Sequence, residues 1–87
     1  MTAKKKPKLD VTRHVGARVR EIREARGMLQ YDLANSLGIS AKGLSHSELG
    51  RTTMTAERLY KIAMLLGVSP CEFFAGLPGV TKGQAND

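Results

Sequence analysis

Nine of the fourteen lysines and arginines lie in residues 1–26: Lys4, Lys5, Lys6, Lys8, Arg13, Arg18, Arg20, Arg23 and Arg26. Only Asp10, Glu21 and Glu24 oppose them there, while the remaining residues hold five charges of each sign, so the whole net charge of +6 sits on the N-terminal side. A concentrated basic segment on a small domain suits a polyanion; the competing reading is a solvated face that only aids solubility. The residues that could support catalysis do not converge. His14 and His46 are far apart in sequence, Cys71 stands alone, and neither C-x-x-C nor H-E-x-x-H occurs. Enzymatic activity, a metal site and a cofactor are therefore set aside. His14 reads as a surface or phosphate-proximal side chain, and Cys71 as a small core or surface residue. One cysteine forms no internal disulfide, which fits a reducing cytoplasm. No apolar run reaches membrane-spanning length, and no hydrophobic segment of a signal peptide follows the lysines, so the expectation is a cytoplasmic protein with no membrane partner.

The elements that must carry these groups are short helices. Eighty-seven residues allow one domain, with a core of Leu, Ile, Val, Ala and Met because Trp is absent and aromatics are few. Residues 1–9, MTAKKKPKL, combine like charges with a Pro and no periodicity, and are expected to form a disordered basic arm until bound. Asp10 or Thr12 can cap a first helix, whose Val11, Val15, Val19 and Ile22 recur at spacings of four, four and three before Gly27 closes it. A second helix is expected from about Gln30 to Leu37 and a third from about Ala41 to Leu49, punctuated by Gly38 and Gly50. Thr55 caps a fourth, with Leu59, Ile62, Ala63 and Leu66 inward. Ser69-Pro70-Cys71-Glu72 has the form of a capping box, predicting a short fifth helix that carries Phe73 and Phe74 into the core. The domain thus covers residues 10–76, and residues 77–87 form a flexible tail or dimer contact through Leu77 and Val80.

Residues 30–49 hold the decisive pair. Leu33, Ala34 and Leu37 share a face of the first member, Gly38 stops it, Ser40 caps the next and Leu44 is its inward residue. Two helices joined by so tight a turn make a helix-turn-helix, whose second helix enters the major groove of DNA.

VGARVREIREARG (15–27), QYDLANSLGIS (30–40), LSHSELG (44–50), LYKIAMLLGVSP (59–70) and EFF (72–74) agree in order and spacing with one family. Across residues 15–74, without a gap, the chain resembles the Cro/C1-type (XRE-like) helix-turn-helix regulators of bacteria and phages. The resemblance implies an all-α, compact, five-helix, lambda-repressor-like DNA-binding domain. It also implies a transcriptional regulator, expected to be a repressor acting as a homodimer on a near-palindromic operator. Its implied base contacts are Ala41, Lys42, Gly43, Ser45 and His46. Lys42 suits guanine, Ser45 either partner of a pair and Ala41 a thymine methyl, each good contact contributing about 1–3 kcal/mol of discrimination. Gly43 offers little to hydrogen-bond; it either admits close backbone approach or leaves that position to DNA shape. Implied phosphate contacts are Gln30, Arg51, Thr52 and Thr53, with Lys4, Lys5 and Lys6 of the arm adding salt dependence. An exposed surface charge is the alternative for Arg51. Arg23 and Glu48 match a partly buried structural ion pair, the alternative for Arg23 being a phosphate contact.

Three positions depart from the family pattern. Leu29 stands where Ser, Thr or Asn normally caps the second helix, at an expected cost of about 1 kcal/mol. Ser47 replaces the large apolar residue that plugs the recognition helix into the core, and Leu49 replaces a polar one. Either the helix rotates slightly, Leu49 fills part of the gap, or the Ser47 hydroxyl bonds back to the Gly43 carbonyl. Other readings of the whole chain are an antitoxin or other protein-interaction module on the same fold, with a protein partner, and a non-specific nucleic-acid binder. The run KKKPK (4–8) also has the form of a nuclear localisation signal.

Overall fold

The computed structural model describes residues 10–80; the basic arm and most of the tail lie outside the described residues. Four α-helices follow in order: α1 (Val11–Ala25), α2 (Gln30–Leu37), α3 (Ala41–Glu48) and α4 (Ala56–Leu66). A 3-10 helix over Pro70–Phe74 is the last element among the described residues, which include no strand. The caps explain the starts. Asp10 accepts the Arg13 N–H at 3.0 Å, Ser40 that of Gly43 at 3.0 Å, and Thr55 that of Arg58 at 3.0 Å. Leu29 makes no side-chain cap on α2.

The stops are reciprocal backbone bonds around a left-handed residue. At the α2 end the Gly38 N–H donates to the Asn35 carbonyl (3.1 Å) and the Ile39 N–H to that of Ala34 (3.0 Å). Gly38 takes φ 75°, a value that L side chains rarely adopt, and a three-residue turn results before α3. Ile39 packs against the core at that turn.

The inward stripes meet in one cluster. Val15, Val19 and Ile22 of α1, Leu33 and Ala34 of α2, Leu44 of α3 and Ile62, Ala63 and Leu66 of α4 are buried around Phe73 and Met54. Val11, expected in the α1 stripe, is 41% exposed because the helix begins beyond the edge of the core. Phe73 is fully buried but Phe74 only half, at the rim beside Val11 and Leu59.

The fifth element departs from the expected capping box. Ser69 Oγ accepts the Cys71 N–H at 3.2 Å, and the Glu72 N–H instead reaches the Ser69 carbonyl at 3.0 Å, a three-residue bond that winds a 3-10 turn. Glu72 is drawn away from the cap by Arg18, whose Nε donates to its carbonyl at 2.9 Å and whose Nη2 meets its carboxylate at 3.3 Å. His14 acts on the same end of the molecule: its Nε2 donates to the Ala75 carbonyl at 2.7 Å, so it links α1 to the residue that follows the 3-10 helix rather than standing free on the surface.

The gap expected under Ser47 does not exist, because α1 fills it with its own backbone. A Cβ at Gly16 would lie 2.7 Å from the Glu48 carbonyl oxygen and closer still to that of Ser47. Small residues on both helices let the two backbones touch, and Leu49, at 42% exposure, stays outside. The Ser47 hydroxyl pairs with that of Thr52 at 3.1 Å, not with the Gly43 carbonyl. Gly16→Ala should therefore destabilise by about 1–3 kcal/mol through overpacking, although the same change in an open helix would stabilise. The sign of the shift in urea midpoint checks this: a midpoint at or above the wild-type value would mean that the α1–α3 contact yields freely.

Candidate nucleic-acid interface

The inner face of α3 is fixed by three buried residues, Leu44, Ser47 and Glu48. At 3.6 residues per turn the opposite face belongs to Lys42 and His46, one turn apart, flanked by Ser45. Lys42 is exposed, while Ala41, Gly43, Ser45 and His46 are half-buried. Ala41 also packs against the core, so only part of its methyl faces outward. Gly43 serves the cap: a Cβ there would press on Ser40 Oγ at 3.2 Å.

Beneath that face lies a bidentate ion pair. Arg23 Nε donates to Glu48 Oε2 at 2.8 Å and Arg23 Nη2 to Glu48 Oε1 at 3.1 Å, with the side chains 8% and 1% exposed. The remaining Arg23 Nη1 donates to the Met28 carbonyl at 2.9 Å, so one guanidinium ties α1, the α1–α2 turn and α3 together. This planar fork matched to a carboxylate is a geometry that lysine cannot supply. Glu48 Oε1 accepts a further bond from Gln30 Nε2 at 2.9 Å. Gln30 is thereby held at the first turn of α2, next to Ser45 across a shallow groove.

The turn after α3 presents Arg51, Thr52 and Thr53, all exposed. Thr52 is engaged through its hydroxyl with Ser47, so it both braces the recognition helix and faces solvent. That partnership was not legible in the sequence, where only the unusual small residue at 47 hinted at a polar neighbour. Lys4, Lys5 and Lys6 lie outside the described residues. Among the described residues no group of three or more His, Cys, Asp or Glu side chains gathers to hold a metal, and Cys71 is exposed. No helix among them is long and apolar enough to cross a membrane.

A capped second helix, set across a three-residue turn from the first and held by a buried ion pair, defines a helix-turn-helix protein. The helix-turn-helix family pattern matches residues 19–73. An uncharacterised HTH-type transcriptional regulator of Sinorhizobium medicae is 40% identical over 77 residues, 87% of this chain and 54% of that protein. A transcriptional regulator in the ATPase CF(0) region of Rhodospirillum rubrum is 42% identical over 67 residues, 77% of this chain and 62% of that one. The chain thus spans between half and two thirds of the length of these curated relatives. Among solved structures, the restriction-modification controller protein C.AhdI from Aeromonas hydrophila superposes with a TM-score of 0.67 at 31% identity, covering 75% of this chain and 97% of that one. The chain belongs to the Cro/C1-type helix-turn-helix family of transcriptional regulators.

Proposed function

We propose that this chain regulates transcription by binding a near-palindromic operator as a homodimer, with α3 in the major groove, and that it represses by occupying that site. The observation that carries the reading is the outer face of α3, where exposed Lys42 and half-buried Ser45 and His46 lie opposite a side pinned by Leu44 and the Arg23–Glu48 pair. In this reading Lys42, Ser45 and His46 face base edges, with Ala41 and Gly43 offering the DNA small, close-fitting surface. Specificity at the last two positions then rests on DNA shape.

Phosphates are held on both sides of α3. The first turn of α2 keeps its backbone N–H groups free of a side-chain cap, and Gln30 adds an amide there, so an anion completes that helix start. Arg51, Thr52 and Thr53 serve the far side, and Lys4, Lys5 and Lys6 extend the same interaction along the duplex. One domain covers a half-site, which is why a dimer with its recognition helices one DNA turn apart is proposed, through the terminal 3-10 helix and Leu77 to Val80. No catalytic step is assigned to the chain.

Selection of bound duplexes from a random library at physiological salt tests this, with Lys42→Ala and His46→Ala run in parallel. A two-fold symmetric site, altered at specific positions in the variants, is the expected result. Binding without enrichment of any sequence would overturn it.

A further inference from the structure

The arginines of α1 fall into two groups. Arg18 is clasped by Glu21 and Glu72, and Arg23 is consumed by Glu48, so neither is available to a ligand without breaking packing. Arg20 and Arg13 are different. Arg20, with 54% of its side chain exposed, holds only a surface pair with Glu24 at 3.1 Å among the described residues. Arg13 is exposed and has no ion pair among the described residues. Positions 13, 17 and 20 share one helical face, and the backbone positions of the two arginines are about 10 Å apart along the axis, far enough for their side chains to reach separate anions.

That face runs alongside α3. Arg20 borders the same shallow groove as Gln30, Ser45 and Leu49, and Arg13 and Ala17 continue the wall past Leu49. At the other end, the Arg13 backbone lies directly against Gly50, where a Cβ would sit 2.7 Å from the Arg13 Cα, so Arg13 is locked beside the turn that carries Arg51. Ala17 and Leu49 leave an apolar floor between the two charges.

We propose that this α1 face is a second backbone-holding surface, in which Arg13 and Arg20 each take a DNA phosphate beside the recognition helix and Glu24 competes with phosphate for Arg20. The proposal rests on the DNA-binding reading above. A guanidinium exchanges an exposed carboxylate for a phosphate readily, since both accept the same two-pronged bond and the surface pair is weak. In this proposal the two arginines hold the backbone and leave base readout to α3.

The test is a salt titration of binding to a labelled mixed-sequence duplex, comparing wild type with Arg13→Ala, Arg20→Ala, Glu24→Gln and Lys61→Ala. Lys61 is a matched control: it too forms an exposed pair one turn away, with Glu57 at 3.2 Å, but on α4 and away from this groove. Each arginine variant is expected to flatten the slope of log K against log salt by about 0.9, the value for one lost phosphate contact. Lys61→Ala keeps the wild-type slope, and Glu24→Gln tightens binding in the wild type but less in the Arg20→Ala background. Arginine variants with the slope of Lys61→Ala would overturn the α1 surface alone. A wild-type protein with no salt-sensitive duplex binding would overturn the DNA reading and this surface with it.

Discussion

A Glu48→Ala variant is expected to lose about 3–5 kcal/mol of stability, seen as a collapse of the urea unfolding midpoint, because the Arg23 guanidinium is left buried and unpaired. The magnitude follows from the geometry: both charged ends are buried, and Glu48 alone accepts three of the bonds that join α1, α2 and α3. A small domain has about 5–15 kcal/mol in total, so much of the variant should be unfolded at growth temperature. Glu48→Gln should lose less, since an amide oxygen still accepts from Arg23. The double variant Arg23→Met with Glu48→Leu should recover most of the loss, because removing both charges strands neither. A loss below about 1 kcal/mol for Glu48→Ala would place the pair with solvated surface bridges and sink the argument.

Phe73→Ala is expected to cost about 3–5 kcal/mol, the range for emptying a fully buried aromatic site. Phe73 is 0% exposed and is the largest fully buried side chain, yet it is carried by a five-residue 3-10 turn with few local bonds of its own. For a domain of this size each kcal/mol lowers the melting temperature by about 4–8 °C, so calorimetry should show a fall of at least ~12 °C. Phe74→Ala, at the half-buried rim, should cost clearly less. Equal losses for the two would show that the turn does not direct Phe73 alone into the core.

Much of the scaffold was legible because its signals are local. Ser40 and Thr55 start helices and Gly38 and Gly67 end them through bonds to residues three to five positions away, so the sequence neighbourhood contains all the information. What escaped depends on which elements meet. Nothing near Gly16 in sequence says that the Ser47 and Glu48 carbonyls will lie against it, and nothing near Ser69 says that Arg18 will claim Glu72. The sequence around His14 suggests a surface or phosphate-proximal group because its partner, Ala75, is 61 residues away. The same limit applies to the interface. The outward positions of α3 follow from helical period once Leu44 is placed inward, whereas the role of Thr52 depends on the Ser47 hydroxyl below it.

The clasp between the two ends of the domain also bears on how the chain moves between its states. His14 and Arg18 reach across 61 and 54 residues to Ala75 and Glu72, whereas the helix-turn-helix is closed by a three-residue turn. Loop-closure entropy makes the near contacts cheap to form and the distant ones expensive. The terminal turn is therefore expected to dock late, and loosening it, as in His14→Ala, should speed unfolding in a stopped-flow chevron while leaving the folding rate nearly unchanged. On that expectation the lifetime of the folded domain is governed at the clasp, by contacts of α1 with the 3-10 turn and Ala75 rather than by the contacts of α3.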